Sequence, residues 1–253
     1  MTRVLIATPC RDAATIPYLN ALWALAKLKT SAYEFVPAIS RSCYVSFARN
    51  AFVEKARAEQ CEEIVFIDAD TAWDTDKLLR LLSHGVDIVG GVYCKRKPGE
   101  PEWTAHSTLE GCREDGLQPV NDIGTGFLRV KMSVFDTLDL RFPHRRFTDN
   151  GKTRMEYFPM GLCAGTSHMH PAELTLRRVL EAITGDSAES DPLTAIRRVK
   201  AAILNETGPV SLVGEDIGFC RLCRAAGIPL YADTRLRLRH MGEIGFPAKE
   251  LPL

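Results

Sequence analysis

The chain has 253 residues, of which 45% are hydrophobic, and its 32 basic and 32 acidic side chains give a formal net charge of zero. This length and apolar content suffice for one large folded domain and exclude global disorder. The neutral balance argues against a protein whose whole surface binds nucleic acid, although a local basic patch remains compatible with it.

The N-terminal stretch and the cysteines indicate the cellular compartment in which the protein is expected. Residues 1–9 form an apolar run with one arginine, which predicts a short strand rather than a signal peptide, and no apolar run approaches the roughly 18 residues of a membrane span. We therefore expect a cytoplasmic protein whose eight cysteines are free thiols. Cys220 and Cys223 form the one close pair and predict two small residues on one helix face. The alternative is a zinc site that uses Cys163, His168 and His170.

The first part of the chain alternates strand and helix signals. Strands are predicted at residues 4–9, 33–39, 64–68 and 86–92, with helices at 16–28, 46–60 and 75–84. In the second helix, Phe47, Ala51 and Ala58 are among the residues expected to point inward. This alternation predicts an α/β fold, with a Rossmann-like parallel sheet and helices on both faces. In such sheets ligands bind beyond the carboxyl ends of the strands.

The second part of the chain is less regular. Gly124-Thr125-Gly126 predicts a tight turn into a strand at residues 127–130. Residues 140–208 are rich in arginine and aromatic residues and include two predicted helices, at 171–183 and 192–204. A further helix is predicted to open at Gly214-Glu215-Asp216 and to end at Gly227, followed by two short strands.

Asp68-Ala69-Asp70 carries the clearest chemical signal, because it follows the apolar strand 64–67. Side chains two positions apart on a strand point to the same side, so both carboxylates emerge together at the sheet edge. A cation between them removes their mutual repulsion, and hard oxygen ligands suit Mg²⁺ or Mn²⁺. Asp70 could instead serve only as a turn or helix-cap residue.

Five features follow one another in a fixed order: Ala48-Arg49-Asn50, Asp68-Ala69-Asp70, Gly124-Thr125-Gly126-Phe127, Gly214-Glu215-Asp216 and His240. In this order and spacing the chain resembles nucleotide-sugar glycosyltransferases of the GT-A fold, and most of all the short family-two-type enzymes of bacteria and phages. The resemblance covers residues 3–135 and 210–241. It implies one GT-A domain over residues 1–253, with a mainly parallel sheet, and a helical acceptor-side insertion at 140–208 before the last catalytic helix.

The resemblance also implies residue roles. Asp68, Asp70 and His240 match ligands of a Mn²⁺ or Mg²⁺ ion that holds the nucleotide diphosphate. Asp216 matches the general base, and Glu215 a residue that binds the acceptor. The alternatives are that Glu215 and Asp216 only stabilise the positive end of their helix, and that His240 is a partly buried histidine.

Further residues match the nucleotide-sugar site. The loop after the first strand would hold the base, Arg49 and Asn50 would contact the nucleotide, and the glycines would let the backbone approach the sugar closely. Arg49 could alternatively pair with a helix-face acid such as Glu54. The implied contacts are Thr8, Pro9, Arg11, Arg49, Asn50, Asp68, Ala69, Gly124, Thr125 and Gly126.

Together these features predict a metal-dependent, inverting transfer of a sugar from a UDP-sugar to an acceptor hydroxyl. A nucleotidyltransferase acting on a sugar phosphate is the second hypothesis, but residues 7–12 contain no glycine. A non-catalytic nucleotide-binding module is the third. The arginines and aromatic residues of 140–208 could line a groove for a polyanion, so a hydroxymethylated pyrimidine in phage DNA is one predicted acceptor, and a glycan or small molecule is the other.

Overall fold

The structure is a computed structural model that describes residues 1–42, 44–95, 102–107, 113–149, 151–164, 210–242 and 246–247. Its helices are α1 (Ile16–Lys27), α2 (Val45–Ala58), α3 (Thr75–Ser83), α4 (Met132–Arg141) and α5 (Glu215–Ala225), with a 3₁₀ turn at Pro143–Arg145. Its strands are β1 (Thr2–Cys10), β2 (Tyr33–Arg41), β3 (Glu63–Ile67), β4 (Thr71–Ala72), β5 (Ile88–Val92), β6 (Ala105–Ser107), β7 (Leu117–Ile123), β8 (Phe127–Lys131), β9 (Arg146–Asp149), β10 (Lys152–Met155), β11 (Gly161–Ala164), β12 (Val210–Val213), β13 (Leu230–Arg237), β14 (Arg239–His240) and β15 (Phe246–Pro247). None of the helices in these ranges is both long and apolar enough to cross a membrane.

Eight strands of the described residues form one sheet in the order β2-β1-β3-β8-β5-β13-β7-β6. β1 is parallel to β2 and β3, and β5 is parallel to β13. β8 is antiparallel to β3 and β5, and β7 is antiparallel to β13 and β6. All strands of the sheet except β7 and β8 therefore run in one direction, and the predicted α/β class with a mainly parallel sheet is confirmed.

The position of β8 departs from the sequence prediction of a parallel sheet. The predicted strands 64–68 and 86–92 are not neighbours, because β8 lies between them and pairs with both. β8 suits the centre of a sheet, since Phe127, Leu128 and Val130 are all fully buried. The sheet is consequently mixed at its middle.

Side chains of the strands alternate between two cores, as the pleat requires. Val4 and Ile6 of β1 lie in the core beneath α1 and α3, whereas Leu5 and Ala7 lie in the core beneath α2, α4 and α5. The helices therefore cover both faces, which confirms the sequence prediction, and the carboxyl ends of β1, β3 and β5 meet at one edge.

Helix α5 begins and ends where the sequence predicted. Glu215 and Asp216 occupy its first turn, and Gly227 takes a φ of 79° just after its end, a conformation that favours glycine. Cys220 and Cys223 are both buried on this helix, which confirms that the pair shares one face. His168 and His170 of the alternative zinc site lie outside the described residues, as do both helices predicted at 171–183 and 192–204.

In the described part of residues 140–208, three of the aromatic residues predicted to line a groove are buried instead. Phe142, Tyr157 and Phe158 are buried in the core, and the ring of Phe158 stacks on Phe219 with centroids 4.7 Å apart. Arg145 is also buried and pairs with Glu156 at 2.9 Å. Burial of the apolar rings stabilises the fold, so these aromatic side chains do not line a groove. Arg141 and Arg146 of the same prediction are exposed, and Phe147 is half-buried. Its other basic residues, Arg177, Arg178, Arg197, Arg198 and Lys200, lie outside the described residues, so the groove stays a prediction.

Candidate functional site

The turn after β3 places Asp68, Ala69 and Asp70 at the carboxyl edge of the sheet. The amide of Asp68 donates to the carbonyl of Gly126 at 3.0 Å, and the amide of Thr71 donates to the carbonyl of Asp68 at 2.9 Å. Thr15 donates both its amide and its hydroxyl to the carbonyl of Ala69, at 2.9 and 3.1 Å. The turn is thus held from both sides, which fixes where its carboxylates point.

Arg49 links three separate segments at this edge. Its side chain is only 2% exposed, and one terminal nitrogen donates to Oδ1 of Asp68 at 2.8 Å while the other donates to Oε1 of Glu215. Burial alone would lower the pKa of Arg49, but the charges of Asp68 and Glu215 outweigh it and hold the pKa above its ordinary value. The pairing with Glu54 considered from sequence is wrong.

Two acids at the site are held less acidic than usual. Burial raises the pKa of Asp68, which Arg49 partly offsets and the charge of Asp70 reinforces. Burial also raises the pKa of Asp216, and its neighbour Glu215 raises it further, although the amide of Ile217 donates to Asp216 at 2.8 Å. A carboxylate with a raised pKa is a stronger proton acceptor, so Asp216 suits general-base chemistry.

Tyr93 belongs to the site but was not selected from the sequence. It follows β5 directly, is 4% exposed, and its hydroxyl accepts a hydrogen bond of 2.9 Å from the amide of Gly126. Burial raises its pKa, with the charge of Asp68 adding to the effect. The available signal was its position just past a predicted strand, at the sheet edge where ligands bind.

The glycine turn at 124–126 has a packing reason. A Cβ atom on Gly126 would overlap the hydroxyl of Tyr93 and lie 2.9 Å from Oδ2 of Asp68. The tight turn into a strand is therefore confirmed, and the backbone approaches these two side chains closely. Thr125, between the glycines, is 2% exposed.

His240 reaches the site through strand pairing. β14 pairs antiparallel with β4, which sets His240 opposite Thr71 and brings its Nε2 atom to 3.3 Å from Oδ1 of Asp70. The amide of Met241 donates to the carbonyl of Asp70 at 2.7 Å, and the ring of His240 lies edge-on to Tyr93. The Nδ1 atom of His240 is buried with no hydrogen-bond partner in the described part of the chain.

The carboxylate and imidazole groups of this site can be compared with the ligand set of a divalent cation. Two ligand atoms on one cation with bonds of about 2.1 Å lie roughly 3 Å apart, which matches the separation of Asp70 and His240. Within the described residues no three His, Cys, Asp or Glu side chains form a ready metal cluster, and Asp68 already bonds to Arg49. The Asp70 and His240 pair fits Mn²⁺ if substrate oxygens and water complete its shell.

The other predicted nucleotide contacts lie nearby but are engaged differently. Thr8 is buried, and its hydroxyl is hydrogen-bonded to that of Tyr18. Pro9 is the last residue but one of the same strand, and Arg11 is exposed beside Asp12. The Oδ1 atom of Asn50 accepts from the amides of residues 157 and 158, which anchors that backbone. Their contact with a nucleotide stays a prediction.

No protein-family model matches the sequence, and no curated protein does. Among solved structures, the chain is similar to A197 from STIV, with 14% identity, a TM-score of 0.46, and coverage of 99% of this chain and 96% of that one. It is also similar to a glycosyltransferase involved in the glycosylation of the major capsid of PBCV-1, with 12% identity, a TM-score of 0.34, and coverage of 57% and 66%. For S. aureus TarS 1-349 the identity is 13%, the TM-score 0.35, and the coverage 81% and 71%. Similarity at this level assigns no activity.

Proposed function

We propose that this protein is a glycosyltransferase that moves a sugar from a UDP-sugar to an acceptor hydroxyl with inversion at the anomeric carbon. The observation that supports it is the buried bridge of Arg49 to Asp68 and Glu215. This bridge gathers, at the carboxyl edge of the sheet, the acidic motifs on which the resemblance to GT-A enzymes rests. The proposal combines that geometry with the ordered motifs.

Asp216 is the proposed general base. A neutral hydroxyl is a poor nucleophile, and a carboxylate that accepts its proton as the new bond forms accelerates the reaction by about 10²–10⁴-fold. Glu215 is held by Arg49, so it is the less available of the two acids as a base, and its proposed role is to bind the acceptor. One displacement by the acceptor, on the face opposite to the leaving UDP, inverts the anomeric centre.

Asp70 and His240 are the proposed holders of a Mn²⁺ or Mg²⁺ ion, with Asp68 beside them. Such a cation would supply positive charge to the diphosphate as UDP leaves. Arg49 partly offsets the negative charges of Asp68 and Glu215 in the same region, and Tyr93 keeps the glycine turn in place through Gly126. The proposed role of the other predicted donor contacts is to orient the UDP-sugar and to exclude water.

The test is UDP release from a panel of UDP-sugars, with Mn²⁺ and with EDTA. We expect release with at least one donor, its loss with EDTA, and a fall of at least 100-fold in Asp216→Asn. Asp136→Asn, which alters an exposed carboxylate on α4, is the matched control and should keep full activity. Full activity in Asp216→Asn would remove the base assignment, and release of pyrophosphate instead of UDP would favour a nucleotidyltransferase.

The acceptor is a separate question. The buried aromatic residues at 142, 157 and 158 give no support to a polyanion groove, so a hydroxymethylated pyrimidine in phage DNA stays a prediction. A duplex DNA substrate would bind less tightly as salt rises. Binding that does not change with salt would exclude it.

A further inference from the structure

A cavity of about 250 Å³ lies between the end of β2, the first turns of α2 and the β9–β10 hairpin. Phe47 and Ala51, one helical turn apart on α2, line this cavity. Arg49, two residues from each, faces the sheet instead. The cavity is therefore distinct from the cluster of carboxylates, although the same helix borders both.

Phe47 gives the cavity an aromatic wall. The helical pattern predicts this residue to point inward, yet its side chain is 58% exposed and its ring meets that of Tyr44 edge-on at 5.7 Å. Tyr44 is equally exposed. The exposed face of the Phe47 ring, which lines the cavity, gives a ligand an apolar surface to pack on.

Asn50 supplies a polar group to the cavity. It is 6% exposed and lines the cavity, and its Oδ1 atom accepts two backbone hydrogen bonds of 2.9 and 3.2 Å. These bonds fix the orientation of the amide group. Its Nδ2 atom can therefore donate a hydrogen bond to a ligand that occupies the cavity.

Charged groups complete the wall. Arg154 lies 3.3 Å from Asp149 and 3.7 Å from Glu54, and both Arg154 and Asp149 line the cavity. Arg41, at the end of β2, has no ionic partner among the residues that the structure describes. The lining therefore offers hydrogen-bond donors and a carboxylate acceptor within one small volume.

We propose that this cavity binds one sugar ring, and, granting the glycosyltransferase function proposed above, that the ring is a unit of the acceptor. A sugar ring has an apolar face that packs on an aromatic ring, and hydroxyls that both donate and accept hydrogen bonds. Those hydroxyls match Asn50, Arg154 and Asp149. About 250 Å³ is below the range of pockets for larger ligands and suits one ring. Asp149 is paired with Arg154, so together they present an acceptor and a donor that suit the hydroxyls of an uncharged glycan unit.

The test is direct binding, measured by NMR without donor, metal or turnover. Glucose, galactose, mannose and N-acetylglucosamine are titrated separately while the side-chain amide signal of Asn50 is followed. We expect a saturable shift with at least one of them. Phe47→Ala should weaken that binding at least 10-fold, whereas Trp23→Ala, which removes a more exposed aromatic ring on α1, should not change it.

The outcomes separate this inference from the proposed function. Absence of a shift with all four sugars, an unchanged affinity in Phe47→Ala, or a shift with thymidine alone overturns the sugar site. Phe47→Leu, which keeps an apolar side chain without the aromatic face, guards against misfolding and should also weaken binding. Sugar binding in a protein that releases no UDP from any donor would retain the cavity assignment and reject the glycosyltransferase proposal.

Discussion

Arg49 on α2 donates a hydrogen bond of 2.8 Å to Asp68 at the end of β3 and a second bond to Glu215 at the start of α5. A single buried guanidinium group is thus the shared counterion of two acids from distant parts of the chain. Removing one member of such a buried set leaves uncompensated charge, which costs far more than the pair contributes on its own. The stability of the site therefore depends on Arg49.

Replacement of Arg49 by Met should lower the free energy of unfolding by about 3 kcal/mol, because Asp68 and Glu215 would lose their common counterion. Urea denaturation measures this change. Lys55→Met, on the exposed side of the same helix, is the control and should cost less than about 1 kcal/mol. Adding Glu215→Gln to Arg49→Met should recover part of the loss, and a purely additive double mutant would contradict the bridge.

Replacement of Asp216 by Asn should abolish transfer and yet stabilise the protein. The folded state raises the pKa of Asp216, so the ionised side chain disfavours folding at neutral pH. We expect the melting temperature at pH 7 to rise by about 2–4 °C, the equivalent of roughly 1 kcal/mol for a chain of this size.

The effect of Asp216→Asn on stability should depend on pH. As the pH falls through the raised pKa of Asp216 in the folded protein, protonation of this residue increases the free energy of unfolding. The increase is complete below the pKa of Asp216 in the unfolded chain, which is about 3.9. The advantage of Asp216→Asn should therefore vanish near pH 4. As the pH is lowered, the activity of the unaltered protein should begin to fall at a pH above the pKa of an ordinary aspartate. If Asp216→Asn is less stable than the unaltered protein at pH 7, burial does not raise the pKa of Asp216.

Replacement of Gly126 by Ala should reduce both activity and stability, because the new Cβ would overlap the hydroxyl of Tyr93 and approach Asp68. Overpacking of this kind costs about 1–3 kcal/mol, which thermal unfolding detects. Gly85→Ala is the control, since a Cβ there meets nothing within 4 Å. Adding Tyr93→Phe to Gly126→Ala should recover part of the lost stability, because it removes the hydroxyl that the new Cβ overlaps. If no stability is recovered, the loss does not arise from contact with Tyr93.

Replacement of His240 by Gln should weaken Mn²⁺ binding at least 10-fold in the presence of UDP, because imidazole is the nitrogen ligand at the proposed site. Electron paramagnetic resonance of free Mn²⁺ measures this without requiring turnover. His106→Gln alters a half-exposed histidine on β6 and should leave the affinity unchanged. Unaltered binding in His240→Gln would show that Asp70 acts without it.

Local patterns predicted the parts of the fold that local forces decide. The alternation of strands and helices, the turn at Gly124–Gly126 and the start of α5 at Glu215 follow from periodicity, glycine conformation and helix-end preferences. The same patterns identified Asp68, Asp70 and Asp216, because carboxylates beside a strand end or a helix start are visible in one dimension. These features needed no knowledge of which strands pair.

Only the tertiary structure decided which strands and which side chains are neighbours. The sequence does not show that β8 enters the middle of the sheet, that β14 pairs with β4 to carry His240 to Asp70, or that Arg49 prefers Asp68 and Glu215 to Glu54. It also predicted Phe47 to point inward, whereas the ring stays exposed beside a polar cavity. Such pairings arise because backbone hydrogen bonds and buried charges must be satisfied across the whole chain, and the partners that satisfy them are set by three-dimensional packing rather than by any local pattern.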